Sequence, residues 1–462
     1  MRFDAIVVGA GQAGPPLAQR LAGAGMKVAF VERHRFGGTC VNTGCIPTKA
    51  MVASAYAAHL ARRGEEYGVR VPGAVQVDMR AVKARKDAIT GKSRDGVESW
   101  VRGLPGATVF QAHARFEAAT RMRLDDGTRL EAERIFLDVG GRAAVPPLPG
   151  VDTVPFLTNA SMMDVDCRPE HLVIIGGSYI GLEFAQMFKR FGSAVTVIEK
   201  GERLIAREDV DVSLTIHHIL EEEGVRIRLN AECIRVAEAA DGGIEVGLDC
   251  AETAASDRTV RGSHLLLALG RRPNTDDLDL EKAGIATDRH GYITVDEHLQ
   301  TSVPGIYALG DCNGRGAFTH TAYNDHQIVA DNLLAGADRR VSDRIAAYGL
   351  FIDPPLGRVG MTESQVRASG RKALIGLRPM SQVSRAVEKG ETDGFMKVLV
   401  DADSRQLLGA AILGPGGDEA IHSLLDVMYA KAPCDVVRRA VHIHPTVSEL
   451  IPTMLASLRP FA

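Results

Sequence analysis

The sequence predicts an α/β protein made of two Rossmann-like dinucleotide-binding units followed by a C-terminal α+β domain. Three observations carry this reading. A strand, glycine turn, helix and second strand ending in an acid occurs twice: DAIVVGAGQAG through VAFVE (residues 4–32) and LVIIGGSYIG through AVTVIE (172–199). The last glycine precedes the acid by 18 residues in both copies, Gly14 to Glu32 and Gly181 to Glu199. From about residue 345 the pattern changes: GRVGMTE, FMKVLVD and LLGAAILGP read as strands, and two helical segments follow around 418–431 and 446–458. A chain of 462 residues is also too long for one core, at roughly 150 residues per domain.

The elements follow in order. In the first unit Gly9 makes the tight turn after the strand, Gly11 lets backbone approach a pyrophosphate, and Gly14 allows close helix–strand packing. The helix N-terminus presents free N–H groups and a positive dipole end to phosphate. Glu32 is placed to accept from ribose hydroxyls. Pro15 and Pro16 fit only in a helix's first turn, where backbone N–H groups lack helical partners. A helical stretch is expected over about 46–102, opened by IPTKAMV, then hairpin strands near ATVFQAHARFEA and TRMRLDDGTRLEAERIFLDVG. VPPLPGV (145–151) breaks both helix and sheet and reads as a linker. The second unit carries Gly176, Ser178 in the middle-glycine position, and Gly181. Glu199 favours NADH because a carboxylate repels a 2′-phosphate, although Lys200 and Arg203 stand nearby. This unit runs to about 270, ending on LLLALG with Gly270 as a cofactor-binding position. GIYALGDCNG (305–314) is a buried-type strand ending in Gly310-Asp311.

Composition excludes some classes. A formal net charge of −4 with 24% charged residues gives no basic surface for nucleic acid or an anionic membrane. The longest apolar runs are strand-sized, far short of the ~20 residues that span a bilayer. The N-terminus runs straight into a strand with no leader pattern, so a cytoplasmic, reducing setting is expected. Of seven cysteines, Cys167, Cys233, Cys250, Cys312 and Cys434 are scattered, whereas Cys40 and Cys45 form a close pair. Residues five apart diverge on a regular helix, beyond the ~7 Å Cα limit for a disulfide. A bond between them needs a distorted turn, for which Gly44 supplies freedom while Pro47 helps place the helix start. Spacing alone leaves a redox pair, a metal half-site and two unrelated thiols open. Near the C-terminus, Thr446 and Glu449 have the spacing of a helix capping box.

The segment GGTCVNTGCIPTK (37–49), the paired dinucleotide units, YALGD with Asp311, and HPTVSE (444–449) occur in that order along essentially the whole chain. Together they closely resemble the flavoprotein disulfide reductases: dihydrolipoamide dehydrogenase, glutathione reductase and mercuric reductase. The resemblance implies an FAD-binding domain from residues 1–150 and 272–342, an NAD(P)H-binding domain over 151–271, and a dimerisation domain over 343–462. It implies that Gly38, Thr39 and Lys49 lie at the flavin, that Gly310 and Asp311 hold its ribityl chain, and that Lys49 pairs with Glu183. Cys45 would face the flavin and Cys40 would attack the acceptor. His444 would be the general acid/base, oriented by Glu449 and serving the other subunit of a homodimer. Electrons would pass from NADH, with NADPH possible, through FAD to a Cys40–Cys45 disulfide and on to a small-molecule disulfide, quinone or metal-ion acceptor. No resident metal is expected, and Cys312 is expected to serve packing. The wording of the two motifs points to the mercuric-reductase-like branch, but the chain ends SLRPFA without that branch's adjacent C-terminal cysteines. Dihydrolipoamide dehydrogenase proper and an NAD(P)H oxidase or quinone reductase are the alternatives. LDVGGR (137–142) departs from the family's usual ATG-type turn.

Overall fold

A computed structural model describes residues 1–232, 234–240, 242–248 and 258–461, so Cys233 and Cys250 lie outside the described residues. The first unit is a five-stranded parallel sheet. Its order is 306–308, 134–137, β1 (Ala5–Val8), β2 (Val28–Glu32) and β3 (Ala107–Gln111). Every residue of β1 and β2 is buried, as expected of parallel strands covered on both faces. The strand at 306–308 is far away in sequence, yet it brings Gly310 and Asp311 to the same sheet end as the Gly9 turn. Helix α1 (Gly14–Gly23) buries Leu17, Ala18 and Leu21, with Pro15 and Pro16 in its first turn.

The helical stretch expected over 46–102 is three pieces with an earlier start. They are α2 (Gly38–Asn42), α3 (Cys45–Arg62) and α4 (Met79–Arg102). The gap before α4 has a local cause: Gly68 and Gly73 adopt φ of 75° and 74°, and Pro72 lies between them. Asp78 then restarts the helix, its carboxylate accepting from the N–H groups of Arg80 and Ala81.

The second unit repeats the plan with four parallel strands, ordered 226–228, 194–198, 171–175 and 264–267. Helices α5 (Tyr179–Phe191) and α6 (Val210–Glu222) accompany them. Met51 and Ala55 of α3 share one core with Leu182 and Phe184 of α5. The cysteine-bearing helix is thereby fixed against the second unit.

The C-terminal region is a six-stranded antiparallel sheet, ordered 347–350, 356–360, 407–413, 395–401, 373–379 and 459–461. Its two central strands are buried throughout. The expected helices at 418–431 and 446–458 occur as shorter pieces: 417–420 with 422–429, and 448–450 with 451–456. Buried charges join this sheet to the second unit. Arg358 bonds Asp209 at 2.7 Å, and Lys397 Nζ reaches Asp209, Asp211 and Glu363 at 3.0, 2.6 and 2.7 Å. Such charges survive burial only when paired. Among the described residues no helix is long and apolar enough to cross a membrane.

Candidate active site

The two glycine loops superimpose in their chemistry. A Cβ on Gly9 would lie 2.2 Å from the Asp138 carbonyl oxygen, and one on Gly176 would lie 2.3 Å from that of Ala268. A Cβ on Gly14 or Gly181 would lie 2.1 Å from the carbonyl of Gly9 or Gly176. The acids also match. Glu32 accepts from the N–H groups of Ala10 and His34, each at 2.7 Å; Glu199 accepts from Gly177 at 2.7 Å and Gly201 at 2.8 Å. Each carboxylate therefore braces its own glycine loop, a duty that the ribose expectation did not include. The middle position differs for a visible reason. At Gly11 a Cβ would meet the Asp138 carboxylate at 2.7 Å, whereas the second unit has only Ala268 at that strand end and accepts Ser178.

The cysteine pair sits at the break between α2 and α3. Thr43 closes α2 with its N–H on the Thr39 carbonyl at 2.9 Å. Gly44 takes φ −131° and ψ −120°, with only 2.9 Å between a notional Cβ and the Thr39 carbonyl oxygen. Cys45 opens α3 and Pro47 lies in its first turn. Both cysteines are free thiols, and the break brings the two sulfurs within hydrogen-bond reach. Their acidities part. The hydrogen bond from Cys40, with help from Thr319 and Lys49, outweighs burial and lowers Cys45 to about 6. Cys40 moves the other way, raised by that same hydrogen bond and by burial. Thr319, the first residue of α7 (Thr319–Ala335), places Oγ1 3.3 Å from Cys45 Sγ.

Lys49 lies one turn along α3 from Cys45. Its Nζ bonds Glu183 of α5 at 2.8 Å and sits 4.4 Å over the Phe351 ring. Glu183 also accepts the Phe351 N–H at 3.1 Å, so three chain segments hold the pair. Asp311 lies 3.4 Å from Arg271, and burial raises its pKa despite that partner. Gly310 donates its N–H to Asp325 at 2.8 Å. Thr39 shares the Gly141 carbonyl with Arg271, and Gly38, with φ 60°, lies so close that a Cβ would meet Gly11 Cα at 2.9 Å. One cavity of about 1500 Å³ runs from Glu32 and Gly11 past Thr39 to Cys40, Cys45 and the Lys49–Glu183 pair. Ser178, Gly270 and Asp311 also border it; Gly176, Gly181 and Glu199 do not.

His444 is elsewhere on the chain. Its side chain is 72% exposed and does not border the cavity. Nδ1 lies 2.8 Å from Glu449. The capping box is half formed: Thr446 Oγ1 accepts the Glu449 N–H at 3.2 Å, but the Glu449 carboxylate turns to His444. Val441 and Ile443 beside it are 100% and 80% exposed. Cys312 is buried, donating to the carbonyls of Leu309 and Leu137. Asp209, Asp211 and Glu363 converge closely enough for a cation, and the Lys397 ammonium stands at that place.

Sequence reasoning missed Thr319, Arg271, Phe351 and Asp138. Nothing in FTH or GLF signals a partner for a thiol or a lysine. Asp138 had a signal, an acid closing the apolar strand RIFLD, which the departure at LDVGGR marked without explaining.

Residues 3–325 match the family model of the pyridine nucleotide-disulphide oxidoreductases, and residues 346–455 match that family's dimerisation domain. The chain belongs to this family. It is an oxidoreductase of the flavin disulfide type that uses FAD and NAD(P)H. It is 35% identical to the probable pyridine nucleotide-disulfide oxidoreductase RclA of Escherichia coli, over 97% of each chain. It is 32% identical to a mercuric reductase of Streptomyces lividans, over 97% of this chain and 94% of that one. A solved structure described as the HOCl-induced flavoprotein disulfide reductase RclA from Escherichia coli superimposes with a TM-score of 0.89 at 34% identity, covering 98% and 99% of the two chains. A further one, described as the Cu(II) complex of that protein, matches equally, with a TM-score of 0.89.

Proposed function

We propose that this chain is an NADH-dependent disulfide reductase in which Cys45 is the thiolate beside the flavin and Cys40 the thiol that attacks the acceptor. The carrying observation is the split in acidity between two touching thiols. The hydrogen bond between them favours the thiolate at Cys45 and the protonated thiol at Cys40, which gives up its proton only to a base. The cavity suits FAD on its own terms. The glycine positions leave no room for side chains where a pyrophosphate would approach, and the Lys49–Glu183 pair stands beside the sulfurs. In the division of labour proposed here, residues 1–150 with 272–342 hold FAD, 151–271 hold the nicotinamide nucleotide, and 343–462 pair two copies of the chain.

Bound FAD supplies the two-electron link between NAD(P)H and the cysteine pair. The protein's own groups do the rest. Lys49, held by Glu183, keeps a positive charge near Cys45 and favours its thiolate. Cys40 loses its proton to His444 of the second protomer and attacks one sulfur of an acceptor disulfide. The departing thiolate takes that proton back. Cys45 thiolate then attacks Cys40 Sγ, releasing the second acceptor sulfur as a thiolate, which takes its proton from solvent, and leaving the Cys40–Cys45 disulfide. Glu449 orients the imidazole through Nδ1, leaving Nε2 for the proton. The exposed His444, with the exposed apolar residues beside it, supports service to another subunit. Glu199 supports NADH: two backbone N–H groups anchor its carboxylate where a 2′-phosphate would meet it.

Copper(II) is the second acceptor reading, favoured by the Cu(II) complex of the RclA relative. Two such ions would take one electron each from the dithiol. Anaerobic titration with NADH and then NADPH tests the main reading. A long-wavelength thiolate-to-flavin band at the two-electron level, lost in Cys45→Ser, is expected. Flavin bleaching without that band would refute the coupled pair. Turnover with lipoamide, glutathione disulfide and copper(II) then ranks the acceptors.

A further inference from the structure

Asp138 separates two otherwise matching loops. Its side chain is 5% exposed and borders the cavity. Oδ2 accepts the N–H groups of Ala13 and Gly14 at 3.1 and 2.7 Å, the first donors of α1. A dinucleotide phosphate would ordinarily seek those donors. Ala268 occupies the equivalent strand end in the second unit and carries no such group. Among the described residues no hydrogen bond reaches Oδ1 of Asp138 and no ion pair reaches its carboxyl.

The surroundings disfavour a negative charge. Asp311, on the segment 310–313, faces it and is shared with Arg271 at 3.4 Å. Asp325 faces it from α7 and is ion-paired with Arg344. The buried Cys312 thiol lies on the same side. Glu32, beyond the glycine loop, is engaged by Ala10 and His34. Burial raises the Asp138 pKa well above the carboxylate range, the two backbone N–H groups opposing it. A pyrophosphate arriving at Gly11 adds two more negative charges beside a carboxyl that a Gly11 Cβ would already touch at 2.7 Å.

We propose that Asp138 holds FAD as a neutral carboxylic acid, with Oδ2 accepting from α1 and a protonated Oδ1 donating to the pyrophosphate, so that at any pH where the acid is ionised in the free protein FAD binding takes up one proton from solvent. The proposal rests on FAD occupying the first unit. The sign follows from linkage: affinity is constant while the acid is protonated in the free protein. It falls about tenfold per pH unit above that range, because binding must then recover the proton.

The test is FAD dissociation from diluted holoenzyme, followed by flavin fluorescence between pH 6 and 9. The native protein should show the fall at the alkaline end. Asp138→Asn, which keeps an acceptor for α1 and cannot ionise, should be flat and should hold FAD more tightly than the native protein at pH 9. The same slope in Asp138→Asn, or a flat native profile, overturns the proposal. If the variant does not fold, calorimetry of FAD rebinding to native apoprotein in buffers of differing ionisation enthalpy decides, since no net proton uptake at pH 8–9 is equally fatal. A native protein that binds no FAD at any pH would instead overturn the cofactor assignment.

Discussion

Replacing Thr319 with valine should raise the pH at which Cys45 ionises from about 6 to about 7. The Thr319 hydroxyl lies 3.3 Å from Cys45 Sγ and helps lower its pKa. Hydrogen bonds to charged groups contribute about 1.5–3 kcal/mol. Cys45 opens into a large cavity, so the low end applies, and about 1.4 kcal/mol corresponds to one pH unit. Valine keeps the shape, and the Cys40 thiol and Lys49 remain. The absorbing species is the thiolate, so the long-wavelength band is present above the midpoint and disappears as pH falls through it. The assay follows that band in two-electron-reduced enzyme under anaerobic conditions from pH 4.5 to 9. Thr319→Ser, which keeps the hydroxyl, should titrate like the native protein. A valine midpoint within about 0.3 of the native value would refute the role given to Thr319.

Other perturbations test other joints. Lys49→Met leaves Glu183, whose side chain is 8% exposed, with the Phe351 N–H but no cation. It should cost about 3 kcal/mol in thermal unfolding, with Glu183→Gln restoring more than half; an unchanged Tm would refute the pairing argument. Lys397→Met removes the ammonium among Asp209, Asp211 and Glu363, and should destabilise the protein by about 3–5 kcal/mol in denaturant unfolding. A loss under about 1 kcal/mol would mean that these acids are effectively solvated. Glu449→Gln should lower kcat/KM for a disulfide about tenfold, short of the roughly 10²–10⁴ expected for losing an acid/base outright, while dye reduction by NADH stays unchanged. Parallel loss of both activities would place Glu449 in the scaffold alone. Glu199→Gln turns amide hydrogens toward the N–H of Gly177 or Gly201 and should raise the NADH KM about tenfold, or about 1.4 kcal/mol. Unchanged KM values for both nucleotides would remove Glu199 from coenzyme choice.

What the sequence disclosed was what local geometry dictates. A glycine whose Cβ would strike a carbonyl at 2.1–2.3 Å admits no other residue, so Gly9, Gly14, Gly176 and Gly181 stand out as a repeated spacing. The distorted turn needed between Cys40 and Cys45 is likewise local, and Gly44 marks it. The Lys49–Glu183 pair spans 134 residues, and only resemblance to a known family joined the two in advance. Thr319 and Arg271 had no such help: Thr319 acts on Cys45 from 274 residues away and Arg271 on the Gly141 carbonyl from 130, each in a segment whose own pattern is ordinary. The break between α3 and α4 was missed because helix-forming residues on both sides masked two glycines and a proline.

In an unfolded chain GGTCVNTGC carries two thiols with nothing to tell them apart, each titrating near the ordinary value of about 8.5. Three things separate them. The helix break lets the Cys40 S–H donate to Cys45 Sγ, α7 delivers the Thr319 hydroxyl, and Lys49 is steered by Glu183 from the second unit. Two of the three come from outside the motif. A fragment ending before residue 170 would keep every residue of the cysteine motif yet lose both Thr319 and Glu183. Its two cysteines should then alkylate at similar rates at pH 7, whereas the reduced, folded chain should react first at Cys45. The redox character of the pair therefore belongs to the assembled fold, and equal alkylation rates in the intact reduced protein would contradict that conclusion.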